Sequence, residues 1–196
     1  LSAAGDAYAW GKNNQGQCGH GSSSDQLLPR WIEALRAEPL SMMAGGWEHT
    51  LALSASGKVY SCGSGYKDSR RSGLPPVLGH GGVDRQLLPR PVLALVGDAC
   101  VSVACGWDHS LAVSAEGDLF SWGAGTNGKL GHGDEGNRVL PTRVEALRGK
   151  RIVQVSAGLD HSLAVSEEGE LYAWGAGGHG QLGLGEGRQL GQDEEF

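Results

Sequence analysis

One feature governs what this chain can fold into: it repeats itself, with several residue columns held in step. Trp10, Cys62, Trp122 and Trp174 occupy one column, inside Tyr8-Ala9-Trp10-Gly11, Tyr60-Ser61-Cys62-Gly63, Phe120-Ser121-Trp122-Gly123 and Tyr172-Ala173-Trp174-Gly175. Their spacings are 52, 60 and 52 residues. A second column, Cys18, Leu78, Leu130 and Leu182, follows the first by 8, 16, 8 and 8 residues. Pro29, Pro89 and Pro141 form a third, and His49, His109 and His161 a fourth, each histidine 29 residues after His20, His80 or His132. The one irregularity is an insertion of eight residues between Ser64 and Val77. Repeats of this length are single supersecondary units that bury their faces only by stacking on neighbours.

Read physically, each unit is a small antiparallel sheet of about four short strands. Val101-Ser102-Val103-Ala104 alternates as a half-buried strand does. Ser110-Leu111-Ala112-Val113-Ser114 is a second strand, Ala115-Glu116-Gly117-Asp118 a turn, and Leu119-Phe120-Ser121-Trp122 a third strand. The stretch Pro141 to Leu147 leads into Ile152-Val153-Gln154-Val155. Composition agrees: 34 of 196 residues are Gly, without a Gly-X-Y period, and six are Trp. The expected fold is all-β, with blades of four-stranded antiparallel sheet packed radially as in a β-propeller. Repeats run over about 5–56, 57–116, 117–168 and an incomplete 169–196. Residues 187–196 leave the pattern and read as a boundary or tail.

Several function classes are disfavoured at once. The net charge of −6 offers no basic footprint for nucleic acid. Apolar stretches are too short to span a bilayer. Cys18, Cys62, Cys100 and Cys105 form no Cys-x-x-Cys pair, which suits a cytoplasmic or nuclear setting. Cys62 stands in the Trp column and Cys18 in the Leu column, so both read as core fillers. Gly175-Ala176-Gly177-Gly178-His179-Gly180 lacks the helix and the Lys-Ser/Thr of a phosphate loop. Asp108-His109-Ser110 and Asp160-His161-Ser162 hold the residue types of a triad, but neighbours in a strand point to opposite faces. His49, His109 and His161 read as repeated turn hydrogen bonds with the following Ser or Thr, and His20, His80 and His132 as structural residues of Gly-His-Gly turns. No catalytic, metal or cofactor site is expected, and the chain reads as a non-enzyme.

The combination Gly-x-Leu/Val-Tyr/Phe-x-Trp-Gly, Gly-x-Leu-Gly-His-Gly, Leu-Pro and Ala-Gly/Cys-Gly-x-x-His-Ser/Thr-Leu-Ala resembles the repeat of the regulator of chromosome condensation family, from Leu1 to about Gly187. The resemblance implies a β-propeller of about seven blades, of which this chain carries 3.5 to 4. It therefore reads as a piece of a longer protein, with completion by a second copy as the alternative. The resemblance also places the turns Trp47-Glu48, Trp107-Asp108 and Leu159-Asp160 on one flat face, as an acidic and apolar arc for a basic protein partner. The inserted loop, with Lys67, Arg70 and Arg71, is a second candidate contact.

The expected function is a non-catalytic protein-interaction or regulatory module, free-standing or attached to ligase or kinase domains. One alternative, implied by the family's founding member, is guanine-nucleotide exchange on a small Ran-like GTPase with chromatin association. Another is ultraviolet-B reception, since a plant receptor similar to the family repeats Gly-Trp-Arg-His-Thr. Here Gly46-Trp47-Glu48-His49-Thr50 and Gly106-Trp107-Asp108-His109-Ser110 keep Trp but carry an acid in place of Arg, and Gly158-Leu159-Asp160-His161-Ser162 loses the Trp too.

Overall fold

The computed structural model describes residues 1–64, 76–82 and 84–184. The strands are β1 (Tyr8–Gly11), β2 (Gln26–Trp31), β3 (Leu40–Gly45), β4 (His49–Ser54), β5 (Val59–Gly63) and β6 (Gln86–Pro91), followed by β7 (Cys100–Cys105), β8 (His109–Ser114), β9 (Leu119–Gly123) and β10 (Arg138–Arg143), then β11 (Ile152–Ala157), β12 (His161–Ser166) and β13 (Leu171–Gly175). They form four antiparallel sheets: β1-β2, β3-β4-β5-β6, β7-β8-β9-β10 and β11-β12-β13. The architecture is a partial β-propeller. No helix among the described residues is long and apolar enough to cross a membrane.

The sheets straddle the sequence repeats. β3 and β4 precede Gly57, whereas β5 and β6 follow it, so each four-stranded sheet is sewn from halves of two successive repeats. The proline column falls in the outermost strand of each blade, where Pro29, Pro89 and Pro141 sit in irregular pairings. An outer strand has one unpaired edge, which is where a residue without an N–H is tolerated.

The cores lie between sheets. Leu51, Leu53 and Val59 of one blade meet Val103, Ala112 and Trp122 of the next. Leu111, Val113 and Leu119 meet Ile152, Val155 and Ala164 one junction further on. Ala7 and Ile32 pack on Leu40, Ala52 and Tyr60 at the first junction. Because each complete sheet has a neighbour on both faces, β8 is buried at every position. The half-buried alternation read for residues 101–104 does not hold: Val101 is exposed, while Ser102, Val103 and Ala104 are all buried. Sandwiching removes the solvent face that alternation presumes.

Candidate partner-binding face

The turns after β3, β7 and β11 are built alike. Each glycine N–H donates to the histidine carbonyl three residues on: Gly46 to His49 at 2.8 Å, Gly106 to His109 at 2.9 Å and Gly158 to His161 at 2.9 Å. Successive turns are also bonded to one another. Trp47 N–H donates to the Trp107 carbonyl (3.4 Å), and Trp107 N–H to that of Gly158 (3.2 Å). Glycine is required here by close approach, since a Cβ on Gly106 would overlap both the His109 ring and the Gly158 carbonyl. The result is a staircase of backbone across three blades.

Side chains follow the staircase. The Trp47 and Trp107 rings stack with centroids 4.0 Å apart and planes 8° from parallel. Trp47 is 48% exposed and Leu159, in the equivalent place of the third turn, 53%. Lys12 Nζ lies 6.0 Å from the Trp47 ring centroid.

The acidic partners of these residues divide. Asp108 and Asp160 share one cation: Lys129 Nζ is 2.6 Å from Asp108 Oδ1 and 2.7 Å from Asp160 Oδ1. Lys129 donates a hydrogen bond to Asp160, while its contact with Asp108 is ionic, outside hydrogen-bond geometry. Asp108 and Lys129 are buried. Glu48 is half-buried and takes part in no ion pair among the described residues. Counting Lys12, Glu48, Asp108, Lys129 and Asp160 gives two positive and three negative groups, a net charge of −1. The six turn residues are therefore brought together, but only Glu48 is an unpaired acid. Lys67, Arg70 and Arg71 lie outside the described residues.

Sequence reading overlooked Lys129. Its signal was an exception in a column, since the equivalent places hold Gln17, Val77 and Gln181. It also put the histidine bonds in the wrong place. His49 Nε2 meets Ser110 Oγ of the next blade at 3.0 Å, and His109 Nε2 meets Ser162 Oγ at 2.9 Å. Ser110 gives its only proton to the Val77 carbonyl (3.0 Å) and Ser162 to that of Lys129 (2.8 Å). Each imidazole must then be the donor to its serine, which fixes the proton on Nε2. A histidine donating to a serine is the reverse of a base activating a nucleophile. The Nδ1 atoms of His49 and His109 are buried without partners, and burial holds the two rings down at about 4 and about 3.

The same carbonyls receive the tryptophan column. Trp122 Nε1 donates to Val77 (2.8 Å) and Trp174 Nε1 to Lys129 (2.9 Å). In the first such junction Cys62 Sγ stands 3.6 Å from the Gln17 carbonyl, joined by Thr50 Oγ1 at 2.8 Å. Cys62 and Cys18 are core residues, 2% and 3% exposed. Burial pushes the Cys62 thiol up to about 12. Cys105 is only partly buried at the residue level, yet burial raises its thiol to about 12 as well.

Comparison with known proteins fits this geometry. The family model described as the regulator of chromosome condensation (RCC1) repeat matches residues 4–53, 76–113 and 116–165. Over 179 residues the chain is 42% identical to the ultraviolet-B receptor UVR8 of Arabidopsis thaliana, covering 91% of this chain and 39% of that protein. It is 36% identical over 187 residues to the human E3 ubiquitin-protein ligase HERC2, covering 94% of this chain and 4% of the ligase. The chain thus spans well under half the length of either relative. Among solved structures, yeast Prp20p, described with its binding to Gsp1p and histones, matches with a TM-score of 0.76 at 26% identity, over 98% of this chain and 45% of that one. Human WBSCR16 shares the fold, with a TM-score of 0.76 at 24% identity, over 94% and 46% of the two chains. Three matched repeats, the interblade clasps and the glycine-built staircase have one conclusion: the chain belongs to the regulator of chromosome condensation (RCC1) repeat family.

Proposed function

We propose that the chain is a non-catalytic interaction module that seats a protein partner on the Trp47–Trp107–Leu159 face. The observation that carries this reading is the partly exposed indole stack, pre-ordered by backbone bonds between blades. Rigid aromatic anchors lose little conformational entropy on binding and dominate interface energetics. Glu48, unpaired beside the stack, and the partly exposed Asp160 favour a segment rich in lysine or arginine. That yeast Prp20p is described with histone binding supports the same partner chemistry.

The test is titration of a labelled lysine-rich peptide. Trp47→Ala and Glu48→Lys should each weaken binding about tenfold or more while the unfolding midpoint stays put. Unchanged affinity in both folded variants rejects the face. Asp108 is unsuitable for charge reversal, because a change there strips Lys129 of a partner.

Two narrower readings each have one favouring observation. Likeness to Prp20p, described as binding Gsp1p, favours nucleotide exchange on a small GTPase, and a nucleotide-release assay decides it. The stacked Trp47–Trp107 pair, with the identity to an ultraviolet-B receptor, favours light reception. That reading requires a change in oligomeric size on irradiation.

A further inference from the structure

The two ends of the chain present the two halves of a contact that its interior makes twice. Inside, the Trp column of one blade closes on the loop after the third strand of the blade before it: Trp122 Nε1 donates to the Val77 carbonyl and Trp174 Nε1 to that of Lys129. The glycine two residues further on leaves room for the ring. A Cβ on Gly79 would lie 3.0 Å from Trp122 Nε1 and 3.2 Å from Pro141 Cδ, and one on Gly131 would lie 2.9 Å from Trp174 Nε1. At the first junction Cys62 and Pro89 cover Gly19 in the same way, and Leu87 covers Gly16, where a Cβ would come within 2.6 Å of its Cδ2.

At the head of the chain the residues of these columns are uncovered. Trp10 on β1 is 59% exposed, Leu27 on β2 is 91% exposed, and Pro29 beside it is exposed too. At the tail, the loop after β13 already has the shape of its counterparts. Gly180 N–H donates to the Gly177 carbonyl and Gly183 N–H to that of Gly180, both at 3.0 Å, as Gly16 does to Asn13 and Gly19 to Gly16 at 2.9 Å. His179 N–H meets Gln181 Oε1 as Gln15 N–H meets Gln17 Oε1. Yet among the described residues nothing beyond the chain neighbours lies within 4 Å of a Cβ placed on Gly180 or Gly183, and the Gln181 carbonyl accepts no hydrogen bond.

We infer that a second copy of this chain docks head to tail. Trp10 of one copy donates to the Gln181 carbonyl of the other, its indole and Pro29 cover Gly183, and Leu27 takes the place over Gly180. The occupant is this chain because its two end surfaces match column by column, in the geometry of its own internal joints. The surfaces differ from one another, so the contact is heterologous, and every pair keeps a free head and a free tail for further copies. The head carries only the outer two strands of a blade, so the outer half of an internal joint forms and association depends on concentration.

Complementation between two variants of the full chain, followed by sedimentation velocity, tests it. The head variant carries Trp10→Arg and Leu27→Glu. The tail variant carries Gly180→Asn and Gly183→Asn, because asparagine tolerates the positive φ of 74° and 70° found there while its side chain fills the seat. Wild type should grow beyond the dimer as concentration rises, and each variant alone should stay monomeric at a concentration about tenfold higher. An equimolar mixture of the two should give a one-to-one dimer and nothing larger. That dimer uses the unaltered tail of one variant and the unaltered head of the other, so local damage at a substituted end does not hide it. A monomeric wild type, with the head covered by the chain's own residues, overturns the inference. So does a mixture without a complex, or a single variant that still pairs with itself, which would mean a like-to-like face.

Discussion

Lys129 holds two turns that carry the candidate face, from a loop that belongs to neither. Buried between Asp108 and Asp160, it offsets the charge of the two carboxylates. Lys129→Met should lower stability by about 3 kcal/mol, read from a urea midpoint, because it leaves a buried carboxylate without its counter-ion. Adding Asp108→Asn to that variant should recover a large part of the loss, whereas additive losses would show that the pair is not coupled. In the sequence Lys129 shows only as an exception in its column, and the ion cluster it forms is not legible there. Lys129 lies 21 residues from Asp108 and 31 from Asp160, so no local spacing announces the cluster. The tryptophans were legible as a column, but their stacking depends on bonds between turns of different blades.

At the scale of the element, the strand after each staircase turn is fastened sideways. The His49–Ser110 and His109–Ser162 bonds hold β4 to β8 and β8 to β12. His80 uses Ser61 in a comparable bond of 2.9 Å within its own blade, and burial lowers it to about 4. These folded values lie below the ordinary histidine value of 6.5, so the unfolded chain takes up more protons on acidification. Stability from the three histidines is complete above pH 6.5 and is lost as pH falls through about 4 for His49 and His80, and about 3 for His109. Denaturant midpoints measured from pH 7 to 4 should fall accordingly, and His109→Gln should flatten that decline. A pH-independent midpoint in the wild type would show that the rings are accessible. In the hydrophobic core, Trp122→Ala should cost about 3–5 kcal/mol, through lost packing and the loss of one of the two donors to the Val77 carbonyl. Three strands of a blade and the turns between them followed from pattern, but the outermost one did not: the stretch from Pro141 read only as a lead-in, where the structure has β10 over Arg138–Arg143. Burial on both faces did not, since Ser102, Ser110 and Ser162 look like solvent-facing residues until the neighbouring blade is in place.

For the whole molecule, the outer surfaces of the first and last sheets are apolar. Trp10 is 59% exposed, Leu27 91%, Leu28 76% and Leu171 66%. In the second blade the equivalent Leu87 and Leu88 sit against Gly16 and Gly21 of the preceding loop. The 196-residue chain should therefore self-associate as its concentration rises, and Leu27→Lys with Leu28→Lys should reduce this in sedimentation velocity. A monomer at every concentration would mean that these surfaces are covered in solution by a rearrangement of the chain.

The offset between repeat and blade has its own topological result. A tandem array cut anywhere at a repeat boundary has a partial sheet at each extremity, and each partial sheet lacks strands of the kind the other holds. A ring made of such units closes by pairing end strands within one shared sheet, with the same antiparallel ladder that its internal blades use.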